Sequence, residues 1–317
     1  MANIAITTYC NLKCPYCFAD DMINTSHNNI TIEQYKRILS FIDNQDSPQK
    51  RIGIIGGEPL LHPQIKDILN ITREYCINNM THALLFTNGI LLGKYLNDLE
   101  CINILININS PDIMTDDQWS KINAALNVAK HMNYFNNKIT LGCNIHMNQT
   151  DYSYIWKMLL TLNVNRLRIS VVSPGGVYQS WKSNKDEYFT KIKPIFMKFC
   201  EDAYKYHITL MLDCSFIPIC YFTDDEKDLI NKVVKNIRSG ICHPVIDITP
   251  DFKATACFGA YDPVDCSQFN NIQDLERYLL HKKNYPRVQA NCTGKCVGCK
   301  QHELLICQGG CLGFAQV

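Results

Sequence analysis

An α/β fold is predicted: a partial (β/α)6 barrel of the TIM type, followed by a small cysteine-rich α+β segment. Three observations predict it. Short apolar or alternating runs recur with amphipathic helical stretches between them, and each run ends in a polar or glycine-rich cluster. From about residue 236 this pattern gives way to cysteines and turns. Six strands each trailed by a helix argue for a parallel barrel or part-barrel, whose chemistry gathers at the C-terminal ends of the strands.

The first strand, Asn3-Ile4-Ala5-Ile6-Thr7, runs into the loop Cys10-Asn11-Leu12-Lys13-Cys14-Pro15-Tyr16-Cys17-Phe18. Thr31 then caps a helix, with Gln34 three residues on and Tyr35, Ile38, Leu39 and Ile42 on one face. Arg51 to Ile55 is a buried strand closed by Gly56-Gly57-Glu58-Pro59, and Ile65 to Asn78 is helical. His82 to Phe86 is the third strand, closed by Thr87-Asn88-Gly89. Ile102 to Ile108 and Ile139 to Ile145 are the next two, with helices over Gln118 to His131 and Tyr152 to Leu162. Arg166 to Val172 is the sixth, ending before Ser173-Pro174-Gly175-Gly176. A further strand, His207 to Leu212, delivers Asp213 and Cys214 to the same mouth if it continues the barrel. Beyond it come Cys242, a hairpin over Val245 to Ala256, Cys257, a short helix at Ile272 to Leu280 and the terminal cysteines. The expected division is residues 1–210 and 211–317, with a soft boundary near 206 to 235.

Composition narrows the function classes. With 31 Lys+Arg against 30 Asp+Glu and no basic run, nothing favours a polyanion, so nucleic acid is excluded as the expected partner. No signal peptide and no apolar stretch of membrane-spanning length are found, so a cytoplasmic protein without a membrane partner is expected. Seventeen cysteines in such a chain point to metal or redox chemistry rather than a disulfide framework. Cys76, Cys101, Cys143 and Cys200 stand singly in apolar or helical contexts and read as ordinary buried thiols.

Cys10, Cys14 and Cys17 put three thiolates around one [4Fe-4S] cluster, which normally takes four, and so leave one iron open for another ligand. The same spacing recurs at Cys292, Cys296 and Cys299, but without a preceding strand and with Gly298 where the first copy has Tyr16. Glycine at 56 and 57 lets backbone approach a ligand closely, and Glu58 is suited to accept hydrogen bonds from an ammonium.

Together, the Cys10-x3-Cys14-x2-Cys17 loop with Tyr16 before its third cysteine, the Gly56-Gly57-Glu58-Pro59 strand end and the strand-ending Asn88 resemble the radical S-adenosylmethionine (SAM) superfamily. The resemblance implies a cluster whose open iron is chelated by SAM, and reductive cleavage of SAM to methionine and a 5′-deoxyadenosyl radical. It implies that Tyr16 packs near the adenine and that Asn88 binds the ribose or carboxylate. Asn107 and Asn144 are counted with these cofactor-binding residues.

The C-terminal segment is similar to the SPASM or shorter twitch extensions of that superfamily, which carry auxiliary iron–sulfur clusters. Cys242-x14-Cys257 flanks the hairpin, and Cys296-x2-Cys299-x7-Cys307-x3-Cys311 is close to the second half of the SPASM pattern. The sequence departs from the pattern at Phe252, where a hairpin glycine is expected, in a longer third gap, and in lacking the last family cysteine before Val317. The resemblance implies Cys242, Cys257 and Cys311 on one [4Fe-4S] cluster and Cys292, Cys296, Cys299 and Cys307 on another; a single auxiliary cluster or a zinc site are the alternatives. Asp213, Cys214 and Cys220 are the candidate catalytic residues: Asp213 as base or substrate anchor, the thiols as hydrogen-atom donors, ligands or packing groups.

The function this implies is hydrogen abstraction from a ribosomally made peptide, giving cross-linking, oxidation or epimerisation. With the core motif starting at Cys10, no N-terminal peptide-recognition domain is expected, so either a separate recognition protein serves it or the substrate is a small molecule such as an amino sugar. An external low-potential electron donor is implied. A non-catalytic electron relay or zinc scaffold is the reading from another class, and it has no use for an open iron beside Gly56-Gly57-Glu58.

Overall fold

The computed structural model describes residues 2–17, 19–23, 28–43, 51–172, 180–181, 183–213, 217–235, 242, 245–292 and 294–315. The elements run β1 (Ala2–Ala5), α1 (Asp20–Ile23), α2 (Ile32–Asp43), β2 (Arg51–Ile55), α3 (Ile65–Asn78), β3 (His82–Thr87), α4 (Leu92–Tyr95), β4 (Asn103–Asn107), α5 (Asp116–His131), β5 (Ile139–Ile145), α6 (Ser153–Leu162) and β6 (Arg166–Val171). They continue with α7 (Lys185–Lys205), β7 (Thr209–Leu212), α8 (Asp224–Val233), β8 (Val234–Lys235), β9 (Ile246–Ile248), β10 (Lys253–Thr255), β11 (Val264–Asp265), α9 (Ile272–Tyr278), α10 (Tyr285–Ala290) and α11 (Lys300–Glu303).

One sheet holds all the strands, in the order β11-β10-β9-β1-β2-β3-β4-β5-β6-β7-β8. From β9 through β8 the neighbours are parallel, and only β10 and β11 run antiparallel. Among the described residues its two edge strands, β11 and β8, do not pair, so the barrel is partial and open.

Local signals build these elements as their chemistry requires. Thr31 and Gln34 exchange hydrogen bonds at 2.8 and 3.1 Å, a capping box worth about 1 kcal/mol that starts α2. Tyr35, Ile38, Leu39 and Ile42 are buried on one face of that helix, each adding about 1.5–3 kcal/mol of burial. Thr115 and Gln118 form a second box at the start of α5.

Register sorts the strand residues into two faces. Ile4, Ile54, Leu85 and Ile106 face the helices and are fully buried. Asn3, Asp247, Gly53, Asn107, Gly142, Asn144, Arg168 and Ser170 share the concave face. Polar side chains therefore line part of the hollow of the barrel, with Leu84, Phe86 and Leu105 on the same face.

The strand–helix repeat runs beyond six units, since β7 and β8 extend the parallel sheet. The 21-residue α7 carries Pro194 in its interior, where proline ordinarily signals a break in a helical stretch. The C-terminal helix is longer than expected: α9 passes through the wide turn Leu279–Asn284 into α10. A boundary at 210/211 cuts β7, and β9 pairs directly with β1, so the cysteine-rich segment shares the barrel's sheet. Cys76, Cys143 and Cys200 are buried, but Cys101 is exposed, in the turn before β4. No helix among the described residues is long and apolar enough to cross a membrane.

Phe252 takes a left-handed backbone conformation, φ 59°, in the β9–β10 turn. The turn thus needs the geometry glycine adopts freely, and here a phenylalanine supplies it. Its ring is held by the Arg37 guanidinium 4.2 Å above it and by the edge of Phe41.

Candidate active site

Beyond β1 the backbone is fastened on both sides. Gly57 N–H donates to Thr7 O at 2.9 Å and Glu58 N–H to Tyr9 O at 2.7 Å, while Thr8 N–H donates to Asn28 O and Ile30 N–H to Ile6 O, both at 2.9 Å. Cys10, Cys14 and Cys17 follow on this clamped stalk, each half-buried. Burial pushes the Cys14 thiol up to about 12, with the charges of Cys17 and Cys10 adding to it, and burial also raises Cys10 against backbone hydrogen bonds from Leu12 and Asn11. Raised in this way, the Cys10 and Cys14 thiols become thiolates only when a metal takes them. Cys14 Sγ stands 3.7 Å from Asn109 Oδ1, which ties the loop to the segment after β4.

The glycines serve this clamp. A Cβ on Gly57 would stand 2.3 Å from Tyr9 O, and one on Gly56 would stand 2.4 Å from Thr7 O. Backbone meets backbone there, so the close approach made by these glycines is to the stalk of the cysteine loop. Glu58 is buried, and its carboxylate accepts from Thr87 Oγ1 (2.8 Å), Asn88 N–H (2.8 Å) and Leu60 N–H (3.1 Å). Burial outweighs those three donors and raises its pKa to about 7. Asn88 Nδ2 donates to Asn11 Oδ1 at 2.7 Å, and Asn88 Oδ1 accepts from Ile90 N–H at 3.1 Å. Glu58 and Asn88 thus fix the end of β3 against the cysteine loop.

Tyr16 is turned inward, its ring 4.6 Å from that of His146 and its hydroxyl directed to Asn144 and Cys14. Asn144 therefore serves the floor of the loop. Asn107 Oδ1 is buried with no hydrogen-bond partner, an orphan acceptor on the concave face. Asp213, at the end of β7, is half-buried in an ion pair with Arg168 and accepts from Ser170 Oγ at 3.2 Å. From the opposite side of the sheet order, Asp247 on β9 is held by Asn3 Nδ2 at 2.7 Å, and burial raises it to about 7, with the charge of Asp213 contributing.

The C-terminal cysteines fall into two groups. Cys257 lies in the field of Cys311 and Cys242. Cys242 is tied to Gln308 by its N–H and to Asn284 by its carbonyl. Cys292 neighbours Cys296 and Cys299, and Cys307 and Cys296 both act on Cys220. Cys220 is exposed and stands with this second group rather than in the hollow, and Cys214 lies outside the described residues. Phe258, beside Cys257, packs with Ala19, Met22 and Cys17, so the first group borders the Cys10–Cys17 loop.

The residues suit iron–sulfur ligation on independent grounds. Cys257, Cys307 and Cys311 each accept a backbone N–H from the residue two positions on, at 3.3–3.4 Å from Gly259, Gly309 and Gly313. Cys10 has the same arrangement with Leu12. Hydrogen bonds to ligand sulfur are one means by which proteins tune such clusters. Among the described residues no three His, Cys, Asp or Glu side chains converge on a point fit for a single ion.

Asn3, Arg168, Ser170, Asp247 and Lys185 were not singled out from the sequence. For β6 a signal existed: Arg166-Leu167-Arg168-Ile169-Ser170 alternates polar and apolar residues, which marks a strand with a polar hollow side. A cavity of about 430 Å³ lined by Tyr152, Trp156, Lys198 and Tyr206 lies on the helical layer between α6 and α7, and no cysteine lines it.

Residues 4–138 match the radical SAM superfamily. The GTP 3′,8-cyclase of Desulforamulus reducens is 29% identical over 160 residues, 45% of this chain and 48% of the relative. The 7,8-dihydro-6-hydroxymethylpterin dimethyltransferase of Methanocaldococcus jannaschii is 32% identical over 100 residues, 32% and 19% of the two chains. The chain thus spans half or less of the length of these curated relatives. Streptococcus suis SuiB bound to precursor peptide SuiA shares the fold with a TM-score of 0.62 at 18% identity, over 98% of this chain and 71% of that one. AdoMet-bound anSMEcpe gives 0.62 at 20% identity, over 98% and 88%. The matched region thus spans the clamped cysteine loop and the strand ends that fasten it, and over that region the chain is similar to the radical SAM superfamily.

Proposed function

We propose that the chain is an enzyme that binds a [4Fe-4S] cluster at Cys10, Cys14 and Cys17 and SAM beside it, and that acts on a peptide laid between the concave face and the cysteine-rich segment. The observation that carries this reading is the three-cysteine loop on a stalk clamped by Gly57 and Glu58 at the mouth of the barrel. The cluster and SAM, when bound, supply reductive C–S cleavage to methionine and a 5′-deoxyadenosyl radical.

The chain's own residues prepare that site. The three thiols would release their protons to solvent as the cluster iron takes their sulfurs as ligands. Glu58 holds Asn88, and Asn88 holds Asn11, so the loop keeps one shape while a ligand enters. Asn107 Oδ1 offers a buried acceptor to a ligand N–H or O–H. Arg168 fixes the Asp213 carboxylate at the end of β7, where it serves as substrate anchor or proton acceptor.

The two C-terminal cysteine groups are read as sites for two auxiliary [4Fe-4S] clusters. Likeness of fold to SuiB over nearly the whole chain, cysteine segment included, favours a peptide. A small molecule is the second reading, favoured by the curated relatives, of which GTP 3′,8-cyclase is named for a nucleotide. An external low-potential electron donor completes the system, and a separate recognition protein is compatible with a peptide substrate.

Anaerobic reconstitution with SAM and a strong reductant tests the reading: 5′-deoxyadenosine is released by the wild type. Metal analysis of a Cys10/Cys14/Cys17 triple-alanine chain tests the tail. About eight irons mean two auxiliary clusters and about four mean one. Zinc without iron would sink the auxiliary assignment.

A further inference from the structure

Lys185 opens α7, yet only 9% of it is exposed. Its ammonium donates to Asn291 O (2.6 Å), Asn291 Oδ1 (3.2 Å) and Gly309 O (3.1 Å), which uses its full complement of three donors. Asn291 directly precedes Cys292, and Gly309 lies between Cys307 and Cys311. Asn291 Nδ2 in turn donates to Gln308 O at 2.8 Å and stands 3.4 Å from Gly310 O and Cys311 O. A Cβ on Gly309, whose φ is +74°, would stand 2.9 Å from Asn291 O and 3.5 Å from Cys296 Sγ. One lysine thus gathers the two stretches of chain that carry the second cysteine group.

The charge is as telling as the clamp. Among the described residues no carboxylate lies within ion-pair distance of Lys185 Nζ; its neighbour Asp186 acts on it only from farther off. A buried cation that faces carbonyls alone is costly, because carbonyl dipoles do not replace a counter-ion. Asp186 and the sulfurs of Cys296, Cys292 and Cys307 all act on its charge, and the sulfurs become fully anionic only once a metal has displaced their protons.

We propose that Lys185 is the clamp and counter-charge of the metal site formed by Cys292, Cys296, Cys299 and Cys307, complete only when those thiols are metal-bound thiolates. The inference rests on the reading that these cysteines hold metal, iron–sulfur or zinc alike. Lys185 touches no substrate and is a positioning residue, set at the junction where α7 leaves the barrel layer and meets the cysteine segment.

The test uses the full reconstituted chain and two readouts: metal retained under a chelator challenge, and the rise in unfolding temperature from apo to holo protein. Lys185→Met should weaken retention at one site about 10–100-fold, the range for groups just outside a metal's ligands, and should shrink the apo-to-holo rise. Lys185→Arg, which keeps the charge, should recover part of both. In a Cys296→Ala/Cys299→Ala chain, Lys185→Met should remove no further metal. If Lys185→Met lowers apo and holo unfolding temperatures equally, or retains metal like the wild type, the inference is overturned. Unchanged metal content in Cys296→Ala/Cys299→Ala would instead show that the metal reading of this group had failed, and the inference with it.

Discussion

Asn88 Nδ2 donates to Asn11 Oδ1 at 2.7 Å, joining the end of β3 to the cysteine loop across 77 residues of sequence. The other end of the same amide is used by Ile90 N–H. Asn88→Ala should lose both bonds and cost about 1–2 kcal/mol of stability, measured by chemical unfolding of the apo protein. A looser loop should also weaken SAM binding to the reconstituted enzyme. Full SAM affinity in a destabilised Asn88→Ala protein would separate the structural role from the ligand role expected of this residue.

Gly57→Ala should be far more damaging. Its Cβ, whose position the backbone fixes, would meet the backbone oxygen of Tyr9 at 2.3 Å, so neither side yields without moving the stalk. Overpacking of this kind costs about 1–3 kcal/mol or more. Iron at the first cluster should fall in a chain whose C-terminal cysteines are intact, read as loss of the share that the Cys10/Cys14/Cys17 triple variant also loses.

Phe252 allows a cleaner comparison. Because its φ is 59°, Phe252→Gly should be more stable than Phe252→Ala by about 1 kcal/mol, although glycine is the more flexible residue in the unfolded chain. Both lose the Arg37 and Phe41 contacts, which cancel in the comparison. Thermal unfolding of the two variants side by side decides it.

Glu58 and Asp247 are carboxyls whose folded pKa values are raised to about 7 from 4.5 and 3.8. In each, burial is the main cause. The folded protein therefore holds protons that the unfolded chain has already released. Their contribution is fully present below about pH 4 and is lost as pH rises through 7, so the metal-free protein should lose stability between those limits, by up to about 3 kcal/mol for Glu58 and about 4 kcal/mol for Asp247. Asp247→Asn should flatten the profile and raise stability at pH 8. A profile that climbs across the same window would contradict this.

Much of the parallel sheet was legible because apolar runs and amphipathic helices announce themselves by period, as in Tyr35-Ile38-Leu39-Ile42. The cysteine loop was legible because spacing, strand and glycines occur together. What escaped had no local signal. Lys185 reads as an ordinary surface residue at a helix start until Asn291 and Gly309 come to it from more than a hundred residues away. The reason for Gly56 and Gly57 was hidden likewise, since Thr7 and Tyr9 become their neighbours only when β1 and β2 pair. Pro194 lies inside α7, whose packing against β7 and α8 outweighs the lost backbone hydrogen bond.

The most direct test compares the two copies of the Cys-x3-Cys-x2-Cys spacing. With reductant and SAM, Cys14→Ala should release no 5′-deoxyadenosine while retaining the metal of the tail; Cys296→Ala should lose tail metal yet still cleave SAM. Release of 5′-deoxyadenosine by Cys14→Ala, or none by an iron-loaded wild type, would contradict the account.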